Sequence, residues 1–361
     1  MFREKSERKS RRRHLGVWDP TGGEAREGSG LPVEEGVEKI RILARDVDGG
    51  VREVRAEELE GAMAGAAVWI DLVRPRERAE RILRDALKLP PLTVEDCLGP
   101  LRMPKMDVFT VDGARGGFVA GFAARFERAE MEVGLRAVEV DLVAGPGYLV
   151  TVRDGPVPEV GERLERRMAD KDLTAQPGFA LAYEAMDALI DGHLPALVEA
   201  ATAAEELDEA LDPSDERASV AALEALISLR RDLQAFRRLA TAQQEILRRL
   251  GRAAPDLREY LSDAADNQRE AVDMAEATRD YAEGAVEAYR IRRDERSELG
   301  IRRLTVFAAI LGPLTLVSGI YGANFARIPG TESPLGFPIF VIGQALFVVA
   351  AVWFLYRRGL L

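Results

Sequence analysis

Glu298, Ile301, Thr305, Ala308, Gly312, Thr315 and Gly319 recur at alternating spacings of three and four, which places them on one face of a helix. The face is small and weakly polar, and Leu304, beside Thr305, joins its candidate lining. Val306, Phe307, Ile310, Leu314 and Leu316 take other faces. Small residues on a membrane helix ordinarily let neighbouring helices approach closely. In a ring of subunits the same stripe lines a narrow, water-filled path for an ion. Glu298 then contributes a ring of negative charge at one end, which concentrates cations.

The side chains able to bind metal limit which ion this is. Cys97 is the single cysteine, so no internal disulfide forms, and the two histidines, His14 and His193, lie far apart in sequence. A His/Cys zinc site within one chain is therefore not expected, and His193 reads as structural. Oxygen ligands favour a hard cation such as magnesium. Lys and Arg total 50 against 61 Asp and Glu, a net charge of -11, which argues against a nucleic-acid surface and suits a domain that attracts cations. The glycine-rich stretch 113–117 lacks the Lys and Ser/Thr of a phosphate loop and falls between two strands, so it reads as a hairpin turn. Without a nucleophile beside a base or a catalytic metal cluster, an enzyme is not expected.

The stripe needs a membrane around it. Residues 304–321 and 337–356 are uncharged, apolar runs, each close to the roughly 20 residues that a helix needs to cross the hydrocarbon core. Arg302 and Arg303 precede the first run and Arg357 and Arg358 follow the second, so both termini are expected on the cytoplasmic side of the inner membrane. Ahead of the hairpin the pattern suggests a polar, disordered arm at 1–35 and a mixed domain at 36–175. Its strands are expected at 40–44, 51–54, 66–73, 106–111, 118–126, 135–143 and 148–152, with helices after Pro75, at 92–98 and at 160–171. Two long helices, 178–211 with a kink at Pro195 and 215–250, form a helical hairpin within 176–254. From 256 no breaker intervenes before the membrane, so one stalk helix running to 320, about 100 Å long, is expected to become the first membrane helix. The remaining boundaries are 255–324 for stalk, first membrane helix and following motif, 325–336 for an external loop, and 337–361 for the second membrane helix and tail. With two membrane helices per chain, transport requires an oligomer.

Tyr321-Gly322-Ala323-Asn324, just after a membrane helix containing Pro313, resembles the Tyr-Gly-Met-Asn signature of the CorA family of magnesium transporters. Trp69-Ile-Asp-Leu72 with Pro75 and Leu92-Thr-Val-Glu95-Asp96 look like further elements of that family. So do Pro104-Lys105 with Phe109, Gly145-Pro-Gly-Tyr-Leu-Val-Thr-Val152, and Tyr260-Leu-Ser-Asp263-Ala-Ala-Asp266-Asn267, in the same order. The resemblance implies an α/β/α cytoplasmic domain, long stalk helices and a two-helix membrane hairpin, assembled as a homopentameric funnel around a pore lined by the first membrane helix. It implies that Asn324 helps to form an outer ring for hydrated magnesium, within the motif Tyr321, Gly322, Ala323 and Asn324. It also implies that Asp96 of one subunit and Asp263 of the next hold a regulatory magnesium. From the residues alone, Asn324 reads as a helix cap, Asp96 as part of the first turn of a short helix and Asp263 as a solvated stalk position.

Four departures qualify the ion. Ala323 replaces the signature methionine, Gly312 a bulky constriction, Glu298 a common asparagine and Asn267 a histidine. The loop at 326–330 looks more like the ZntB zinc-transporter branch. The expectation is a pentameric divalent-cation channel for magnesium, gated by internal magnesium. A zinc, cobalt or nickel transporter on the same architecture is the alternative, and a non-conducting membrane scaffold a remoter one.

Overall fold

Alternating apolar runs separated by turn residues build the first half of the chain, and alanine- and leucine-rich amphipathic runs the second. The computed structural model describes residues 38–358 apart from 76, 100–102, 130–131, 171–172, 174–175, 213–214, 254–256, 324–332, 334 and the side chain of Arg303. The expected arm at 1–35, Asn324 and most of the loop at 325–336 thus lie outside the described residues. The chain divides into two compact units. One comprises the described residues up to Leu211 with Arg217–Gly284, the other Asp212–Glu216 with the described residues from Ala285.

The first unit carries a seven-stranded sheet: β1 (Lys39–Arg45), β2 (Val51–Glu53), β3 (Ala67–Val73), β4 (Lys105–Val111), β5 (Ala114–Ala129), β6 (Glu132–Ala144) and β7 (Tyr148–Arg153). Their order is β2-β1-β3-β7-β6-β5-β4, with β3 and β7 parallel and every other neighbour antiparallel. Gly49, at φ 88°, makes the β1–β2 turn. Asp112 and Gly113, both at positive φ, make the two-residue β4–β5 turn, so the glycine-rich stretch opens on a hairpin turn, while Gly116 and Gly117 lie within β5 rather than in the turn.

Side-chain alternation gives the sheet two apolar faces. Ile42, Ile70, Leu72, Phe118 and Val150 pack on the side of α1 (Leu59–Ala62), α2 (Glu77–Arg81, continued by a wide turn at Ile82–Ala86) and α3 (Pro91–Leu98). Trp69, Val140, Leu142 and Leu149 pack on the other, against α4 (Pro158–Ala169) and α5 (Pro177–Asp191). α6 (His193–Glu209), α7 (Glu216–Ala253) and α8 (Arg258–Tyr321) follow, with Leu247 of α7 and Leu261 and Ala264 of α8 in that second core. The domain is therefore the expected α/β/α sandwich.

Two expectations change. The helix expected at 178–211 is two helices, α5 and α6, broken at Gly192. Pro195 lies in the first turn of α6, where its missing N–H is not needed, rather than at a kink within a longer helix. α5, α6 and α7 from Arg217 onward fall in the same compact unit as the sheet.

Beyond Ala120, β5 has run past the end of β4, and its Phe122 backbone groups are taken by side chains from the helical layer. Phe122 N–H donates to Gln243 Oε1 of α7 at 3.2 Å, and the Phe122 carbonyl lies 3.1 Å from His193 Nε2 of α6. His193 stacks on the Phe122 ring and also meets Gln268 of α8. Burial pushes its pKa down to about 4, so the imidazole is neutral and structural, as expected.

Candidate ion pathway

In the second unit, α8 ends in an apolar segment and α9 (Gly336–Arg357) follows; both helices are long and apolar enough to cross a membrane. Pro313 lies within α8 and removes one rung of its backbone ladder. Gln344 Nε2 donates to Ser318 Oγ at 2.9 Å, and the Phe340 ring stands 4.9 Å from that of Tyr321. These contacts set an antiparallel register that brings Arg302 of α8 near the level of Arg357 and Arg358. Arg357 lies over Trp353 and Arg358 over Phe354, at 5.1 and 5.4 Å, as arginines do when anchoring a helix end at a membrane surface.

The same contacts fix which side of α8 is occupied. Val306 is buried, Ile310 and Leu314 are half-buried, and with Ser318 and Tyr321 they form one stripe. At about 100° per residue this stripe lies on the side of the helix opposite Thr305, Ala308, Gly312, Thr315 and Gly319. Those five stay exposed, as do Glu298, Ile301 and Leu304. Ala308, Gly312, Thr315, Gly319 and Ala323, together with Leu311, Leu316 and Ile320, line one open groove of ≈ 730 Å³. A Cβ built on Gly312 or Gly319 meets nothing within 4 Å. Leu311 and Ile320 escaped the sequence reading because only the three-four positions were followed, and Leu316, expected on another face, in fact lines the groove beside Gly312.

The hydroxyls of the exposed stripe, Thr315 in the groove and Thr305 below it, face one way chemically. Thr305 Oγ1 donates to the Ile301 carbonyl at 2.9 Å and Thr315 Oγ1 to the Leu311 carbonyl at 2.7 Å. With each hydroxyl hydrogen spent inside the helix, the oxygen has only acceptor lone pairs left to present. Acceptors suit a cation or the hydrogens of its water shell. At the end of α8, Gly322 N–H bonds back to Ser318 and Ala323 N–H to Ile320, while Tyr321 is turned onto Phe340. The motif's Asn324 lies outside the described residues.

Asp96 and Asp263 both fall in the first unit. Asp96 is in the last turn of α3, not the first as expected, at the end where the helix dipole disfavours an anion. Lys105, the first residue of β4, offsets this with an ion pair at 2.5 Å. The sequence had flagged Lys105 only as part of a Pro-Lys element. Asp263 is exposed on α8, one turn beyond Tyr260, whose ring is 5.7 Å from that of Tyr183. Among the described residues no group of three or more His, Cys, Asp or Glu could hold a metal within one chain. Cys97 beside Asp96 is buried, and burial pushes its thiol well up, so it is not a ready thiolate ligand.

The chain is 26% identical over 295 residues to the putative metal ion transporter YfjQ of Bacillus subtilis, covering 80% of this chain and 88% of that one. Over a shorter stretch of 139 residues, 37% of this chain and 42% of the relative, it is 30% identical to the zinc transport protein ZntB of Cronobacter sakazakii. Among solved structures it is similar to the CorA magnesium transporter of Methanocaldococcus jannaschii, with a TM-score of 0.71 and 18% identity, over 89% of this chain and 98% of that one. The model of the CorA-like Mg2+ transporter protein family matches residues 64–358, from the third strand of the sheet to the end of the last membrane helix. The sandwich, the long helix and the apolar pair therefore fall within one family match, and the chain belongs to the CorA family, whose members are transporters and channels rather than enzymes.

Proposed function

We propose that this CorA-family divalent metal transporter works as a ring of five chains that passes hydrated divalent cations inward along the α8 stripe, with magnesium preferred. The observation that carries the reading is the free face of α8, opposite the side that meets α9, whose threonine oxygens present acceptors. Magnesium keeps its waters tightly, and a magnesium hydrate presents outward O–H donors to such a lining. Asn324 completes the path at the outer mouth through its amide oxygen, and Ala323 leaves that mouth wider than a methionine would. Arg302, Arg357 and Arg358 mark the cytoplasmic side of the inner membrane.

Gating is assigned to Asp96 and Asp263 on opposite sides of each subunit interface. Both are oxygen donors reachable from solvent, and the lack of a one-chain acidic cluster among the described residues suits a site completed by a neighbour. Two carboxylates about 4 Å apart repel by roughly 4 kcal/mol at an effective dielectric of 20, so an empty site loosens the ring and bound magnesium closes it. The ion then limits its own entry.

The zinc reading shares this architecture, supported by the ZntB relative and by the loop at 326–330. Competitive uptake into liposomes separates the two. At an inside-negative potential of 100 mV a divalent ion gains about 4.6 kcal/mol on entry, so no other energy source is needed. We expect magnesium to enter under this potential alone and an equal concentration of zinc to leave most of that uptake intact. Zinc entry that excludes magnesium would replace the magnesium reading with the zinc one.

A further inference from the structure

Lys105 Nζ lies 2.5 Å from Asp96 Oδ2 and 3.7 Å from Asp107 Oδ2, with 5.6 Å to the centroid of the Phe118 ring beneath it. The Lys105 side chain remains 44% exposed and that of Asp96 29%, so the pair can open without unfolding anything around it. Across the sheet, Lys105 stands opposite Ala120 on β5, and Ala120 opposite Asp141 on β6. Directly opposed residues of antiparallel strands project to the same face. Lys105 and Asp141 thus share a face two strands apart, about 10 Å between their Cα atoms, with only the methyl group of Ala120 between them.

Asp141 is only 2% exposed, and its Oδ1 has no hydrogen-bond partner among the described residues. Burial, then Glu139 and Asp96, push its carboxyl well above the usual range, while Lys105 acts in the opposite direction. A buried acceptor without a partner is uncommon in a folded protein, and an ammonium reaching it would supply the missing donor. Lysine, a compact charge on a flexible four-carbon stem, has the reach to move along this row.

We propose that Lys105 is the resident cation of Asp96, that a divalent metal ion must displace it to bind there, and that Asp141 receives the displaced ammonium. The proposal rests on the reading that Asp96 is a ligand of the regulatory metal. An ammonium and a metal ion cannot share one carboxylate without strong repulsion. Because the lysine is tethered in the same chain, it competes at a high effective concentration. Its single charge neutralises Asp96 but does not bridge to Asp263 of a neighbouring subunit. Lys105 would therefore set the magnesium concentration at which the interface is bridged.

The test uses the full-length protein in lipid nanodiscs, with magnesium alone as ligand. The readouts are calorimetric titration and magnesium-dependent protection of the α8 helix from protease. Lys105→Met is expected to lower the half-saturating magnesium concentration by about three- to tenfold, the order of a partly exposed ion pair. Asp141→Asn is expected to raise it by about threefold when Lys105 is present and to leave it unchanged in the Lys105→Met background. Asp96→Asn should abolish the saturable phase. Survival of that phase in Asp96→Asn overturns the regulatory-site reading and the proposal together. Its loss in Asp96→Asn, combined with an unchanged midpoint in Lys105→Met, overturns the proposal alone. An equal effect of Asp141→Asn in both backgrounds removes Asp141 from the exchange. Lys105→Gln serves as a second variant should Lys105→Met fail to assemble.

Discussion

Gly312→Met is expected to lower divalent-cation flux by about tenfold or more while leaving the amount of assembled protein unchanged. Gly312 sits midway along the exposed stripe, and a Cβ there meets nothing within 4 Å, so the new side chain has room in a single chain. Methionine is also a better helix former than glycine by roughly 0.8 kcal/mol, which excludes a local loss of helix as the cause of any defect. In the proposed five-chain ring the side chains converge on one level and replace the space left by hydrogen atoms with flexible apolar stems. Flux would be followed with a magnesium-sensitive dye in proteoliposomes, beside gel filtration of the same preparation. Unchanged flux in a normally assembled variant would move the path away from this face of α8.

The second large effect concerns stability. Asp71→Ala is expected to destabilise the first unit by about 3–5 kcal/mol, because it removes one partner of a mostly buried ion pair. Asp71 on β3 accepts two bonds from Arg153 on β7, at 3.0 and 2.8 Å, and one from the Thr151 hydroxyl at 2.8 Å. Thr151 in turn accepts from Trp69 Nε1 at 3.0 Å. The side chains of Asp71 and Arg153 are only 9% and 18% exposed, so water replaces little of what is lost. The network crosses the sheet's one parallel pair, where no hairpin turn holds the register. Thermal unfolding of the detergent-solubilised protein should show a midpoint lowered by roughly 10 °C. A shift of under about 2 °C would mean that the β3–β7 pairing stands without this network.

The sequence made parts of this account legible for identifiable reasons. Strand alternation and turn residues such as Asp48-Gly49-Gly50 and Asp112-Gly113 are local signals, and β1, β2, β4 and β5 followed from them. The three-four spacing from Glu298 to Gly319 is also local, so the stripe could be read without a structure. Which side of α8 meets α9 could not, because it depends on Ser318 meeting Gln344 and Tyr321 meeting Phe340, pairs that no local pattern encodes. The break at Gly192 was hidden for a similar reason. The residues on both sides favour helix, and the break is stabilised by His193, which binds the free edge of β5 far away in sequence. The Lys105–Asp96 pair joins a strand start to a helix end, and the burial of Asp141 depends on what packs over its row, so neither follows from local sequence.

The central claim is that ions travel along the face of α8 that carries Gly312. Cysteine accessibility tests it most directly, because Cys97, the chain's only cysteine, is buried and its thiol is held protonated by burial. Gly312→Cys and Phe307→Cys would each be reconstituted and treated with a small, positively charged thiol reagent during magnesium uptake. Phe307 is exposed in the single chain but points away from the stripe. The account predicts rapid block of Gly312→Cys, slowed by magnesium in the path, and no block of Phe307→Cys. Block at Phe307→Cys with Gly312→Cys insensitive would contradict it.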